Sequence, residues 1–361
     1  MDMLIKNNIK KCSKALIDVG IHTTKIIHVA YESKQVKIND ANAFDSISLI
    51  EDTSVNFVEL ARRADIVISG PARKNISVTL PDFMTENRII QIKNRKESDV
   101  GKIIDKEYSN FGRVSSVTHV VDYAFLGKKE EQGDKVGYYL VSAMQKSAAN
   151  ELVSAFAEHK MRITSISCGI YNQYCLSELY FNEYEHLNRL MVDFGTRQTR
   201  VTAFSEGVAV YTRVIDIGFE NYVQKLFETQ LHAGKPDICR VLYEIGADTE
   251  AVDKKDCFAL IDEAEYFKIV CDIENTLCNE IHRIIDLCAN NEIIITKLYY
   301  TGFALKGLSN KISDILGIAC EEIAFNTCDE KAGNGYELIV EGAELGIRYT
   351  NAIGMAIMPL T

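Results

Sequence analysis

"ALIDVGIHTTKII" (15–27) and "LMVDFGTRQTRVTAF" (190–204) follow one plan, and this repeat decides the fold. Each stretch is an apolar run that ends in an aspartate, an apolar residue and a glycine. A short threonine-containing segment and a basic residue, Lys25 or Arg200, come next. Both copies then continue through β-branched sequence, a polar turn and a further strand. Because the two copies lie about half a chain apart, they indicate an internal duplication of one β-hairpin.

The residues of this repeat suit a phosphate and its metal ion. Glycine after the aspartate permits a tight turn and lets backbone N–H groups approach an anion. Asp18 and Asp193 are placed to hold magnesium through water, because that ion keeps several waters and needs few carboxylates. Two such hairpins facing each other would clamp a polyphosphate, whereas either copy alone is more typical of a plain surface hairpin.

Bulk properties exclude several classes of protein. The 361 residues suffice for two or more domains with real cores, and 47% hydrophobic with 25% charged residues is ordinary globular composition. The net charge of −11 argues against a nucleic-acid-binding surface, which needs clustered basic residues. The sequence has no 18-residue apolar run and no signal-peptide core, so direct membrane insertion is not expected. The ten cysteines contain no C-x-x-C pair and are expected to be reduced, as in the cytoplasm.

Between and after the hairpins, the sequence alternates between strand and helix patterns. Strands are predicted at 64–70, 75–81, 116–127, 135–145, 162–168 and 297–302. Helices are predicted at 97–111, 147–160, 169–185, 219–230, 236–246, 259–290, 304–316 and 349–358. This alternation predicts an α/β protein with mixed sheets.

The order of these elements resembles the actin-like ATPase superfamily and, within it, the PilM family of type IV pilus assembly proteins. The stretches that carry the resemblance are "DVGIHTTK" (18–25), "LPDFMTENRII" (80–90), "VDYAFLG" (121–127), "YYLVSAMQKSAANELVSAF" (138–156), "VDFGTRQTRVTAF" (192–204), "RVIDIGFENYVQKL" (213–226), "TGFALKGL" (301–308) and "YTNAIGMAI" (349–357). The resemblance implies a two-lobed, FtsA-like fold with duplicated mixed-sheet domains and a small inserted α+β subdomain. The expected divisions are a leader at 1–14, a first-lobe core at 15–74 and 146–188, the insertion at 75–145, and a second lobe at 189–361 with a helical subdomain at about 219–290.

The resemblance also implies a binding site for ATP or ADP with Mg²⁺. In this site Asp18 and Asp193 are expected to hold the metal, and Lys25 is expected to neutralise the β and γ oxygens. Gly302 is expected to face the base, and Thr199 lies where the family usually has a threonine. The phosphates are expected to contact the backbones of Gly20, His22, Thr23, Gly195 and Thr196. Two positions depart from the family pattern, because Ile21 replaces a usual serine and Phe303 a usual second glycine. The segment 237–246 also lacks the pair of charged residues that the family has on its nucleotide-lining helix. Gln173 is the candidate residue for positioning a water molecule.

The function implied is that of a cytoplasmic scaffold at the inner membrane, with slow or absent ATPase activity. It would hold the cytoplasmic N-terminal peptide of a PilN-like bitopic protein between the inserted subdomain and its lobe, and link it to pilus motor ATPases and the platform protein. Two alternatives remain open. One is an FtsA-like division filament, although that family carries a membrane helix after its last apolar helix and this sequence stops at Thr361. The other is a phosphotransferase of the sugar-kinase branch, although no catalytic carboxylate has a matching context.

Overall fold

The computed structural model of the chain forms two compact units. It describes residues 12–32, 35–46, 48–51, 53–94, 97–110, 114–115, 117–180, 187–229, 234–235, 237–239, 242, 261–303, 307–323, 330–331, 337–340 and 349–358. The first unit comprises Met1–His186, Glu206–Tyr211 and Phe325–Thr361, and the second comprises Leu187–Ser205 and Thr212–Ala324.

The strands and helices follow each other as an α/β protein requires. The strands are β1 Cys12–Val19, β2 Thr23–Glu32, β3 Gln35–Asp45, β4 Ile50–Glu51, β5 Ser54–Val55, β6 Ile76–Leu80, β7 Glu86–Lys93, β8 His119–Glu131, β9 Asp134–Gln145, β10 Ile163–Cys168, β11 Arg189–Phe194, β12 Thr199–Ser205, β13 Val208–Ile215, β14 Lys297–Gly302, β15 Cys320–Glu322, β16 Glu330–Lys331 and β17 Glu337–Val340. The helices are α1 Phe57–Val67, α2 Glu97–Asn110, α3 Lys146–Glu158, α4 Gly169–Tyr180, α5 Phe219–Thr229, α6 Glu263–Asn290, α7 Leu308–Leu316 and α8 Thr350–Ile357.

A seven-stranded mixed sheet, in the order β10-β6-β1-β2-β3-β17-β16, organises the first unit. β1, β2 and β3 form an antiparallel meander, while β6 lies parallel to both β1 and β10. One face is covered by a continuous core that includes Ile17, Val78, Leu60 and Phe156, so α1 and α3 pack there. Because β1, β6 and β10 are parallel, their carboxyl ends meet at one edge, where Asp18 lies.

The second unit repeats this arrangement in a five-stranded sheet, in the order β13-β12-β11-β14-β15. β11 pairs with β12 in an antiparallel hairpin and with β14 in parallel, just as β1 pairs with β2 and with β6. The predicted α/β fold with duplicated, mixed sheets is therefore confirmed.

A separate antiparallel sheet, in the order β7-β9-β8, lies between β6 and α3 in the sequence. Helix α2 covers one face, because Val100 and Ile104 belong to the same buried cluster as Ile92 and Val141. This sheet falls within the segment 75–145 that was expected to form an inserted subdomain. β6 also falls within that segment but pairs in the seven-stranded sheet, so the separate sheet begins only at β7.

Some local predictions were wrong. The first part of the strand predicted at 64–70 is the end of helix α1, which runs to Val67, because Phe57, Leu60, Ala61 and Ala64 are buried at helical spacing. The side chain of Asn56 also caps this helix by accepting a hydrogen bond from the Glu59 N–H. The strands predicted at 116–127 and 135–145 meet at a shorter turn than expected, since β8 continues to Glu131 and β9 starts at Asp134, which leaves a two-residue turn at Gln132 and Gly133, each with positive φ.

The two chain ends also differ from expectation. The last part of the predicted leader 1–14, Cys12–Lys14, is the start of β1, and Lys14 is buried there. The C-terminal elements β16, β17 and α8 were expected in the second lobe, yet all three belong to the first unit. β17 pairs with β3, and the Tyr31 hydroxyl donates to the Ala356 carbonyl at 2.8 Å, so the apolar helix α8 is buried in the first unit. The predictions for 1–11, for most of 236–246 and for 304–306 lie outside the described residues.

Candidate functional site

The turn of the first hairpin joins β1 to β2 and places a buried ion pair beside it. Asp18 lies directly opposite Lys25, and Lys25 Nζ is 3.1 Å from Asp18 Oδ2. The two side chains are only 5% and 16% exposed, so the charges are held together away from bulk water. Gly20 is required at the turn, since an added Cβ would lie 2.6 Å from the Thr23 carbonyl oxygen.

The second hairpin reproduces this geometry. Asp193 lies opposite Arg200, and Arg200 Nη1 is 2.9 Å from Asp193 Oδ2, with the side chains 10% and 9% exposed, respectively. Gly195 is again required, because an added Cβ would lie 2.7 Å from the Gln198 carbonyl oxygen. The duplication therefore includes the ion pair as well as the sequence pattern. It also includes a backbone carbonyl that leaves no room for a side chain at the glycine of the turn.

Gly302 makes room for the second carboxylate. It is the last residue of β14 and pairs in register with Phe194. Its φ is +99°, and an added Cβ would lie 2.4 Å from the Phe194 carbonyl oxygen and 2.7 Å from Asp193 Oδ1. The neighbouring Thr301 hydroxyl donates to Asp193 Oδ1 at 3.3 Å. Within this unit, Gly302 thus contacts the Asp193 turn directly.

Two polar groups of the second hairpin, one donor and one acceptor, are engaged within the protein. The Thr199 hydroxyl is fully buried and donates to the Ile217 carbonyl at 2.6 Å. The carbonyl oxygen of Thr196 accepts the Glu220 N–H of helix α5 at 2.7 Å. Sequence reasoning missed Gly218, which this junction requires because an added Cβ would lie 2.5 Å from the Thr196 carbonyl oxygen. The role of Thr199 that the structure describes is to join β12 to the segment before α5.

Phe303, one of the two departures from the family pattern, is packed into the second unit. Its ring stacks on Phe219, with the centroids 4.1 Å apart and the planes 24° apart. Its N–H also donates to the Phe194 carbonyl at 2.6 Å. The larger residue is therefore accommodated by an aromatic contact at the start of α5.

The first hairpin lies beside a buried polar network. Thr79 pairs in register with Asp18, and the Thr79 hydroxyl oxygen accepts from Asn172 Nδ2 at 2.8 Å. Asn172 Oδ1 accepts in turn from the Ser167 hydroxyl at 2.7 Å. Gln173 on the same helix is 1% exposed, so it belongs to the interior of this unit.

The turn residues themselves remain partly accessible. His22 and Thr23 are each half-buried, and the His22 carbonyl accepts the Ser46 N–H at 2.8 Å. No group of three or more histidine, cysteine or acidic residues suited to a metal occurs in the described part of the chain. Each turn has one buried carboxylate, Asp18 or Asp193, and each of these carboxylates is in an ion pair. Among the described residues no helix is long and apolar enough to cross a membrane.

A groove of about 340 Å³ lies in the first unit, where the three-stranded sheet meets β10 and α3. Its lining residues are Thr85, Val120, Asp122, Ser142, Met144, Ala149, Val153, Ile163, Thr164, Ser165, Ile166 and Ser167. Three apolar side chains remain open to solvent there, with Val120 49%, Val153 46% and Ile166 37% exposed. β10 is the outermost strand of its sheet, so a strand edge also borders this groove.

The buried cysteines of α6 are expected to be chemically inert. Desolvation raises the pKa of Cys278 and of Cys288 to about 11, so both thiols stay protonated near neutral pH. We predict that iodoacetamide at pH 8 labels the exposed Cys12 well before either of them in the native protein, as read by peptide mass spectrometry. Labelling of Cys278 or Cys288 as fast as Cys12 would contradict the burial of this helix face. Unfolding in urea should remove the difference.

Comparison with known proteins gives matches only at the level of structure. No protein-family model and no curated protein matches the chain. A chain of the PilM-PilN type IV pilus biogenesis complex matches with a TM-score of 0.76 and 14% identity, over 98% of this chain and all of that one. MreB5 of Spiroplasma citri bound to AMPPNP matches at 0.51 and 10% identity, over 97% and 96% of the two chains. The ethanolamine utilization protein EutJ from Carboxydothermus hydrogenoformans matches at 0.50 and 10% identity, over 99% and 93%.

The matched regions include both copies of the duplicated hairpin. Each spans nearly the whole chain, so the likeness is not confined to one sheet. The resemblance to PilM, first inferred from the two hairpins and the strands around them, is confirmed at the level of the fold. The chain is an α/β protein with the actin-like ATPase fold, similar over its full length to a chain of the PilM-PilN complex.

Proposed function

We propose that this protein is an actin-like scaffold of a type IV pilus assembly machine. Its partner is the cytoplasmic N-terminal tail of a PilN-like bitopic membrane protein, which binds as an extended peptide in the groove beside β10. The full-length likeness to a chain of the PilM-PilN complex supports the assignment to type IV pilus assembly. The observation that supports a peptide partner is the groove itself, where solvent-exposed apolar side chains lie next to the edge of a sheet.

The groove has the features that hold an extended peptide. An outermost strand presents backbone N–H and C=O groups that an added strand can pair, and pockets for alternate side chains supply specificity. Val120, Val153 and Ile166 come from β8, α3 and β10, so apolar surface faces the groove from three elements. Single exposed apolar residues are ordinary on a protein surface, whereas a convergent set in a concavity marks a binding site.

Charge adds a preference for the kind of peptide. Asp122 is the charged residue of the groove lining, and its Oδ1 accepts the Tyr123 N–H at 2.8 Å. The whole chain carries a net charge of −11. A peptide with basic residues beside its apolar ones would therefore be attracted to this surface and oriented in it.

We further propose that ATP or ADP with Mg²⁺ binds through the two duplicated turns. Asp18 and Asp193 are the proposed magnesium-side carboxylates, and Lys25 is the proposed cation for the phosphates. The nucleotide serves as a structural cofactor or slow switch for a scaffold that stays cytoplasmic and reaches the membrane through its partner. Linkage to motor ATPases and the platform protein belongs to the same proposal.

Charged substitutions in the groove test the peptide assignment. We expect Val153→Asp and Ile166→Asp each to weaken binding of a synthetic PilN-like N-terminal peptide by at least about tenfold, because a carboxylate would replace an apolar contact. The measurement is isothermal titration of the full chain with the peptide. Ile66→Asp on α1 is the control, since Ile66 is 76% exposed and lies outside the groove lining.

The control variant should bind the peptide as wild type does. Wild-type affinity in both groove variants would contradict the assignment of the groove. Equal losses in all three variants would also contradict it, since that pattern would reflect a general effect of added negative charge.

A further inference from the structure

The turn between β12 and β13 packs on the three-stranded sheet. Residues Glu206–Tyr211, which include this turn, cluster with the first unit. Val208 is only 6% exposed. At Gly127 of β8, φ is +137° and an added Cβ would lie 2.6 Å from Val208 Cγ2. The turn thus contacts β8 where that strand has a glycine in an unusual conformation.

A β-bulge in β8 determines which face the turn contacts. Asp122 and Val120 lie opposite Ser142 and Met144 of β9, and the register then shifts between Phe125 and Gly127. After the shift, Gly127 lies opposite Tyr138 and Lys129 opposite Val136. Residues directly opposite share a face, and alternate residues of β9 share a face as well. Gly127 and Lys129 therefore lie on the same face as the groove residues of β8.

Polar contacts accompany the apolar one at this end of the sheet. Lys129 Nζ lies 3.9 Å from a carboxylate oxygen of Glu206. The Tyr138 hydroxyl donates to the Glu131 carboxylate, and the same tyrosine is largely buried. Because Glu206 is 62% exposed, its ion pair contributes little, and the buried Val208 contact is the main one.

We propose that residues 206–208, which are the β12–β13 turn and the first residue of β13, form a wedge that holds the three-stranded sheet in its groove-forming position and so regulates peptide affinity. One face of this sheet contacts the wedge at one end and forms a wall of the groove at the other. Since a sheet moves largely as a unit, loss of the wedge displaces Val120 and Asp122 relative to β10. The inference rests on the proposed function, because it concerns the affinity of the same groove.

Removing the apolar contact tests the wedge. In the full chain, Val208→Ser should weaken binding of the synthetic PilN-like N-terminal peptide by about tenfold, because a buried valine contact is lost. It should also raise backbone hydrogen exchange in β8 and β9 relative to wild type. Val208→Ala, which is less disruptive, should give smaller changes in the same direction. Glu206→Gln on the same turn should change neither measurement, because it removes only the exposed ion pair.

The possible outcomes separate this inference from the proposed function. If wild type does not bind the peptide, the proposed function fails and the inference fails with it. If wild type binds, faster exchange with unchanged affinity in folded Val208 variants would overturn the regulatory role. Unchanged exchange in β8 and β9 would overturn the wedge itself. Joint loss of affinity and protection, graded from Val208→Ala to Val208→Ser, is the expected result.

Discussion

Asp193→Ala is expected to lower the free energy of unfolding by about 3 kcal/mol and to abolish any magnesium-dependent ATP binding. The carboxylate is 2.9 Å from Arg200 Nη1, and both side chains are at most 10% exposed. Removing it leaves a guanidinium without that partner in a nearly dry site and also deprives the Thr301 hydroxyl of its acceptor. Urea unfolding followed by circular dichroism measures the first effect, and isothermal titration with Mg-ATP measures the second.

A surface ion pair of similar length provides the control. Arg197 Nε is 2.8 Å from Glu220 Oε2, but these side chains are 40% and 44% exposed. Glu220→Ala should therefore cost less than about 1 kcal/mol. Similar losses in the two variants would show that the Asp193 pair is not buried. If wild type binds no Mg-ATP, the nucleotide proposal is wrong, while the stability comparison stands on its own.

Gly354→Ala is expected to destabilise the first unit by about 3 kcal/mol, although alanine is the better helix former. Gly354 lies in α8, and an added Cβ would be 2.2 Å from the backbone carbonyl oxygen of Asn172 in α4. A backbone atom of a buried helix cannot rotate away, so α4 and α8 must separate. Asn172 also holds Thr79 through a buried hydrogen bond beside Asp18, so the network there should loosen too.

Gly101→Ala is the same substitution in a helix without this contact. An added Cβ at Gly101 would lie 3.5 Å from the Tyr123 hydroxyl oxygen, an ordinary contact distance. This variant should gain about 0.5–1 kcal/mol from helix propensity. We expect the change in the free energy of unfolding, measured with urea, to have opposite signs in the two variants. A gain in both would contradict the close packing of α4 against α8.

The duplicated hairpins could be predicted because their signal is local. Aspartate, glycine and a basic residue at fixed spacing specify a turn and the residue opposite it, and the ion pairs of Asp18 and Asp193 follow from that register. Helix α1 shows where prediction of secondary structure from the local sequence fails. Its β-branched end suggested a strand, while the apolar stripe from Phe57 to Ala64, packed against α3, determined a helix.

Features that depend on distant residues could not be predicted. Nothing near Gly354 in the sequence indicates that the Asn172 carbonyl will lie against it, and nothing near Gly127 indicates Val208. The same holds for the C-terminal segment, which joins the first unit through pairing of β17 with β3. The groove was expected beside the inserted subdomain, but its β10 edge and α3 wall emerge only from the packing of the sheets.

Site-specific photocrosslinking tests the central claim, that an extended peptide binds beside β10, most directly. A photoreactive amino acid would replace Val153 or Ile166 in the full chain, with Ile66 as the control position, before irradiation with the PilN-like N-terminal peptide. The account predicts crosslinks from Val153 and Ile166 that excess unlabelled peptide suppresses, and none from Ile66. Binding of the peptide without a crosslink from either groove position, or with equal crosslinking from Ile66, would contradict it.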